Sequence, residues 1–507
     1  MSTHPTKRTV FCLVGIIVII HGFVIAGSSC RRRSVDVSKA KATPEQRRVI
    51  GPGVPYLPEQ SMEKSILSKD MRLRRQAAWD IFRQVTKEVE IGKGSELKGF
   101  RPDVRPTLPV WQTWYTSDEL PVMLRDAYER LSPEHRIARR PICPETLDEV
   151  FVRHSKQSVH GFTQQELEQR LSQVRHQREV RGVSGRGVTL FSPAILRHYM
   201  ENYVSVVNCP DQRSNLSPGE IVSQTNHSSC FSGEFPSGRQ FPYTLPPGDY
   251  SHCKNPSPLV NHGGAVALKT TWHKVNSSDL AVFDTGESEV AKHILEGEWK
   301  PNRQWPEVEL SADRIYSIKL MQSDSQYHLA SMHVVTKDTR DWMWITFWWS
   351  PEPDSDFGED RPKYFNGTAW ANYKMCVVTD YVEHDIDPAR HFDQSHPSLA
   401  RAIRKVHDMV KPHTWCSSPF TEAGKGNSRT NCIGCHQHGG TSADPDEIFL
   451  DDPTNPRTVL ARQLYPHGSR SQLRANFPGD YLWSYSYAPD FFETLVISTI
   501  SNVDNGL

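Results

Sequence analysis

The sequence predicts an α+β chain: a helical N-terminal region, a β-rich antiparallel middle domain and a loop-rich C-terminal segment. Three observations carry that expectation. After residue 60, apolar residues recur at helical spacing, with Met71, Ala78, Ile81 and Val85 on one stripe. Between Gly264 and Asp380 the pattern changes to short runs rich in Val, Thr, Tyr and Trp, with turn residues between them. Near the C-terminus, Gly, Ser and Asn crowd a loop. A chain of 507 residues is long enough for two or three domains.

Taken in order, residues 1–30 read as a signal peptide or membrane anchor. Lys7 and Arg8 precede an apolar run from Val10 to Ala26, and the small residues "AGSSC" follow. The run, about 17 residues, is at the lower limit for a spanning helix. Cys30 behind small residues resembles a bacterial lipoprotein site, although Gly27 stands where that pattern wants a larger aliphatic residue. Arg31, Arg32 and Arg33 place positive charge on the unexpected side of such a segment. Residues 31–60 read as a polar, Pro-containing tether.

Residues 61–208 form the mainly helical region. "SMEKSILSKDMRLRRQAAWDIFRQVTKEVEI" is a helix, "RPTLPVWQTWYT" a Pro-broken aromatic segment, and "TQQELEQRLSQVRHQREVRG" a second helical run ending at glycine. Residues 209–263, rich in Ser, Pro, Gly and Asn, read as a disulfide-pinned loop region. Residues 264–390 form the β-rich domain, with strands in "AVALKTTWHKV", "DRIYSIKLMQS", "YHLASMHVVTK", "DWMWITFWWS" and "YKMCVVTDYV". Strand alternation in "WMWITFWW" turns Trp342, Trp344 and Thr346 to one side and Met343, Ile345 and Phe347 to the other. Residues 391–507 hold one more helix, "PSLARAIRKVHDMVK", and then the loop-rich segment.

Charge and cysteine usage narrow the function classes. Lys plus Arg and Asp plus Glu are equal at 59 each, so no global field attracts nucleic acid. Setting aside Cys12, Cys30 and the pair Cys432 and Cys435 leaves Cys143, Cys209, Cys230, Cys253, Cys376 and Cys416, an even set that suits an oxidising compartment. The expected pairings are Cys376 with Cys416, and two of Cys209, Cys230 and Cys253 with each other; buried thiols are the alternative. The Asn-x-Ser/Thr matches at Asn215, Asn226, Asn276 and Asn366 are expected by chance in a bacterial-looking chain. "EPDSDFGED" gathers Asp354, Asp356 and Glu359 around Gly358 but lacks the ligand spacing of a calcium loop, so it reads as a solvated acidic turn. "SADPDEIFLDDP" reads as a polar surface loop.

The chemistry concentrates in "NCIGCHQHGG", which contains Cys-x-x-Cys-His at Cys432, Cys435 and His436. Two thiols three residues apart can add to the two vinyl groups of a haem, and the adjacent histidine then ligates the iron from the same side. The motif therefore predicts one covalent haem c, with Cys432 and Cys435 holding the porphyrin and His436 as proximal iron ligand. Two rivals remain: half of a zinc site completed by Cys416 and His438, and a redox dithiol, which wants a compact βαβ setting. Because bacteria attach haem covalently outside the inner membrane, the motif places the chain in the periplasm or cell envelope.

No methionine follows the motif, the last being Met409, so the opposite face of the iron needs another ligand. His333 in "MHVVTK" is the preferred candidate, ahead of His467 in "LYPHGS", Met409 and His438, which lies too near His436 to reach across. A satisfied histidine on a strand is the plain alternative for His333. If no side chain occupies that face, His333 with Lys337 or Lys269 would instead act as acid–base and charge-stabilising groups, and the chain would be a haem peroxidase, oxidase or sensor.

The segments "ALKTTWHKV", "SMHVVTKDTRDWMWITFWW", "KMCVVT", "NCIGCHQHGG" and "FPGDYLWSYS" resemble those of exported bacterial proteins called cytochrome c family proteins, over roughly Arg101 to Tyr487. These carry one haem motif near the C-terminus behind a large domain. His333 matches a histidine in the family's His-x-x-x-Lys stretch. The resemblance implies an extracytoplasmic haem-c protein that transfers electrons, with no known substrate; electron transfer calls for a redox partner protein, and the apolar N-terminal segment for contact with a bacterial membrane. Small class I cytochromes have a helix just before the motif and a methionine after it. This chain has neither, so their fold is not expected here.

Overall fold

The stripe foreseen near residue 71 becomes helix α1, Met71–Val85, in the computed structural model. Asp70 caps its first turn by accepting a hydrogen bond from the Leu73 amide at 3.0 Å. Thr86 closes the last turn with its hydroxyl on the Phe82 carbonyl. The buried face consists of Arg74, Ala78, Trp79, Ile81, Phe82 and Val85, with Met71 only half-buried at the start. The structure describes residues 56, 70–90, 107–116, 119–156, 188–201, 203, 250–254, 264–275, 279–295, 299–306, 313–319, 326–338, 342–379, 415–422, 432 and 491–504. The chain divides into two compact units, Met1–Lys41 and Ala42–Leu507, and every described residue belongs to the second.

Beyond α1, strands β1 (Glu88–Glu90) and β2 (Thr107–Pro109) pair antiparallel. The aromatic segment then makes a single 3₁₀ turn, Val110–Thr113, and strand β3, Tyr115–Thr116. Helices α2 (Glu119–Glu129), α3 (Pro133–Ile137) and α4 (Pro144–Lys156) precede strand β4 (Val188–Phe191) and helix α5 (Pro193–Glu201). Strands β5 (Val266–Lys274) and β6 (Leu280–Val282), helix α6 (Ser288–Leu295) and strands β7 (Arg303–Trp305) and β8 (Ser317–Lys319) follow. Strands β9 (Gln326–Thr336), β10 (Met343–Trp349) and β11 (Tyr373–Val378) are the rest of the sheet, and helix α7 (Phe491–Asp504) comes last.

The main sheet runs β11-β10-β9-β5-β4-β3, with β8 pairing the start of β9, and all its pairs are antiparallel. All five segments expected to contain strands do so, and the chain is α+β. Strands β3 and β4 come from the stretch assigned to a helical region, 61–208, yet they extend the sheet of the region 264–390. Four-residue "VTLF" is too short to show a period; it becomes a strand because β5 offers it an open edge. The helical runs expected at "TQQELEQRLSQVRHQREVRG" and "PSLARAIRKVHDMVK" lie outside the described residues. Among the described residues no helix is long and apolar enough to cross a membrane.

One face of the sheet packs under α1. Phe347 stacks on Phe82 with ring centroids 3.8 Å apart, and Trp79, Phe365 and Trp370 surround the pair. Arg75, on the same helix, ties it down by donating to both Asp360 carboxylate oxygens at 2.6 Å and to the carbonyls of Met375 and Phe357. Burial would raise the Asp360 pKa, but the hydrogen bonds and charge of Arg75 outweigh it and hold the carboxyl below its usual value.

The expected Cys376–Cys416 disulfide is present. Cys253 pairs with Cys143, at the start of α4, rather than with a cysteine of its own loop region. The contacts that favour this pairing are long-range: His252 meets the Pro141 carbonyl at 3.1 Å, and the Lys254 amide donates to Glu145 at 2.9 Å. Cys209 and Cys230 lie outside the described residues.

Candidate functional site

The alternation in "WMWITFWW" sends Phe347 to α1 and its neighbour Thr346 to the opposite face, where the chemistry gathers. Antiparallel register places Thr189, Lys269, His333, Thr346 and Cys376 opposite one another on five consecutive strands, β4, β5, β9, β10 and β11. Residues opposite in a register project from the same face. A single row across the sheet therefore carries a lysine, a histidine, two threonines and a cysteine. His333 Nδ1 hydrogen-bonds with the Thr346 hydroxyl at 2.7 Å. The neighbouring row adds Thr271, Ser331, Trp348 and Lys374.

A buried polar face is costly unless its groups are matched, and the segment 415–422, "WCSSPFTE", supplies the match. Cys416 is bonded to Cys376. Thr421 hydrogen-bonds through its hydroxyl with both Thr271, at 2.8 Å, and Ser331, at 2.7 Å. The strap holds its own shape as well: the Ser418 hydroxyl accepts from the Thr421 amide, while the Ser418 amide donates to Glu422 and the Glu422 amide to the Ser418 carbonyl. Its aromatic margins seat it. Phe420 packs edge-on to Phe283, Trp415 lies against Trp299 and Phe357, and Trp348 meets Phe357 from the sheet.

Glu422, at the strap's end, comes within 3.9 Å of His333 Nε2. Burial pushes its carboxyl up to about 7, against the Ser418 amide, the Ser417 hydroxyl and the charge of Lys269. Burial also lowers the Lys269 pKa, opposed by Glu422. Lysine, histidine and glutamate thus face one another where charge is poorly solvated, an arrangement able to hold or pass a proton. Of the two lysines considered beside His333, Lys269 is the one in its row. Lys337 lies four residues on, just past the end of β9 and roughly 13 Å away by strand rise, with its ammonium 4.9 Å from the Trp342 ring centroid.

Cys432, the first cysteine of the Cys-x-x-Cys-His motif, meets the strap at Cys416. It is buried, and its thiol lies 3.8 Å from the carbonyl oxygen of Cys416. Two strand spacings, roughly 10 Å, separate His333 from Cys376 across the row. Cys435, His436, His438, His467 and Met409 lie outside the described residues.

Two other clusters of ligand-type side chains have structural explanations. Cys143, His252 and Cys253 bring their ligand atoms within 4.8 Å of one another, but both sulfurs are consumed in a disulfide. In the acidic turn, Asp354 and Glu359 are exposed and Asp354 pairs with Arg361, as expected of a solvated turn. Asp356 departs from that expectation: it is buried, adopts φ 57° and offsets the charge of Lys374, which is fully buried and also lies 3.9 Å from Asp284. Gly358 is required beside it, because a Cβ there would meet the Pro353 carbonyl oxygen at 1.7 Å.

Sequence reasoning singled out Lys269, His333, Thr346 and Cys376 separately, and the structure assembles them. It missed Glu422, Thr421 and Asp360. The nearest local signal was Cys416, which anchors "WCSSPFTE"; nothing in the strap's own spacing points to a partner on the sheet. No family model, curated protein or solved structure matches the chain.

Proposed function

We propose that the chain is a monohaem c-type cytochrome, with haem held by Cys432 and Cys435, ligated by His436 and seated beside the strap that covers the polar face of the sheet. The observation that carries the proposal is the Cys432 thiol 3.8 Å from the carbonyl of Cys416, the strap residue bonded to Cys376 of the row that also holds His333. When bound, haem would supply one-electron redox chemistry. The described donors fit that role. A histidine that ligates metal commonly engages its other ring nitrogen in a hydrogen bond, which fixes the ring and its tautomer. His333 has such a bond at Nδ1, to Thr346, while its Nε2 lies 3.9 Å from Glu422.

The strap then serves as scaffold. Thr421 and the Cys376–Cys416 disulfide fix the segment that leads into the motif, and the aromatic margin excludes water from one side. Bis-histidine ligation would favour a lower potential than histidine–methionine ligation. The proposal includes an extracytoplasmic location, a membrane contact through residues 1–30 and a redox partner protein. Two disulfides among the described residues accord with an oxidising compartment.

A second reading, a haem-dependent oxidoreductase acting on a small substrate, is favoured by one observation: Glu422 and Lys269 flank His333. In that case His333 would relay a proton to substrate instead of ligating iron. One experiment separates the two. The chain is expressed with haem-attachment machinery and its absorption spectrum recorded oxidised, reduced and with carbon monoxide. A denaturation-resistant, six-coordinate haem whose spectrum is lost in His333→Ala supports the cytochrome. A high-spin haem that binds carbon monoxide rapidly supports the oxidoreductase, and absence of covalent haem sinks both.

A further inference from the structure

We infer that Lys374 and Asp284 condense to an intramolecular isopeptide bond, a covalent link between strand β11 and the turn that follows β6. Lys374 Nζ lies 3.9 Å from Asp284 Oδ1, and the lysine side chain is fully buried. An ion pair in that setting is costly, because neither charge is well solvated and the separation is too long for a hydrogen bond. A neutral amide removes both charges. Each partner is already held in place. Lys374 donates to the Ser355 hydroxyl at 3.2 Å, the Asp284 amide donates to the Asn302 side chain at 3.1 Å, and the Gly286 amide donates to Asp284 Oδ1 at 3.0 Å. Trp348, opposite Lys374 in the register, is buried against Phe357, which in turn meets Trp415.

The step balances without an outside reagent. The Lys374 Nζ lone pair attacks Asp284 Cγ, the C–N bond forms as the Cγ–Oδ2 bond breaks, and two of the ammonium protons leave with Oδ2 as water. Nζ must advance by about 1 Å to reach attack distance, a movement its flexible side chain allows. Burial lowers the Lys374 pKa, which favours the neutral amine that the attack requires. The Gly286 amide polarises Oδ1, the oxygen on which negative charge develops. Asp356 is the carboxylate whose charge acts most strongly on Lys374, and it carries the proton from Nζ to the departing oxygen. It is buried and held at φ 57°, a left-handed conformation uncommon outside glycine. The bond ties the two-stranded β6–β7 sheet to β11, the edge strand of the main sheet, and it does not depend on the cytochrome reading.

The test is peptide mapping of the full chain, folded, incubated until its mass is constant, then denatured, reduced and digested with trypsin. The peptides that contain Asp284 and Lys374 are expected as one branched species, lighter than their sum by one water, with no cleavage after Lys374. Asp284→Asn keeps the shape and the electrophilic carbon, so its branched peptide should be lighter by one ammonia instead. In a time course after synthesis, Asp356→Asn should slow the appearance of the branch by about tenfold or more, with circular dichroism unchanged. Lys374 and Asp284 recovered in separate linear peptides overturn the inference, and so does a branch from Lys374 to Asp356 or Glu352. Formation at the same rate in Asp356→Asn overturns the role given to Asp356.

Discussion

Phe347 and Thr346 are neighbours on one strand and both fully buried, yet they belong to different kinds of interior. Phe347 enters a ring stack under α1, where packing is non-directional and each added carbon contributes. Thr346 enters a layer of hydroxyls, imidazole, ammonium and sulfur, where each group must meet a particular partner atom. Burial alone does not distinguish the faces. The partner does: a helix with an apolar stripe covers one, and a strap of eight residues with matched donors and acceptors covers the other.

The largest effect expected is on the apolar face. Phe82→Ala should cost about 3–5 kcal/mol in urea unfolding, because it opens a cavity against Phe347, Phe365 and Trp370. A loss below about 1 kcal/mol would mean that the stack is not the anchor described here. Next comes a pH effect at the place where the alternation slips, past the register shift between Thr271 and Trp272. Burial, and secondarily the charge of His273, depress the His328 pKa to about 4. The unfolded chain takes up that proton near the ordinary value, and the folded chain resists it. Stability due to neutral His328 is therefore complete above about pH 6.5 and declines as pH falls towards 4, by about 3 kcal/mol in total. His328→Gln should flatten that part of the stability profile.

On the polar face, Thr421→Val preserves shape but removes the hydroxyl shared with Thr271 and Ser331. A cost of about 1–3 kcal/mol is expected, read by thermal unfolding. If it matched the cost of Phe82→Ala, the contrast between the faces would fail. The smallest stability effect is expected at Thr346→Val, about 1 kcal/mol, since only the bond to His333 is lost. Its more informative readout is spectral: under the cytochrome reading, freeing His333 Nδ1 should shift the haem absorption bands even when stability hardly changes.

How much of this was legible in the sequence varied with the range of the interaction. The strand runs and the α1 stripe declare themselves because a period of two or of about four residues is a local record of burial. The same alternation correctly separated Thr346 from Phe347. Strands β3 and β4, too short to carry a period, were read as part of a helical region. Nothing local to "MRLRRQ" marks Arg75 out, because its partner Asp360 lies 285 residues away. The cystine partner of Cys376 was foreseen, but that of Cys253 was not, since loop composition says nothing about which distant helix the loop meets.

By itself, then, the sequence determined the α+β class, the strand segments, the Cys-x-x-Cys-His motif and the inventory of titratable groups around it. Tertiary structure alone decided that Lys269, His333, Thr346 and Cys376 share a row, that Glu422 and Thr421 cover it, and that Cys432 returns to Cys416. The physical reason is register. Which residues oppose one another across a sheet depends on how distant strands align, and a slip of one residue would turn every member of the row to the other face.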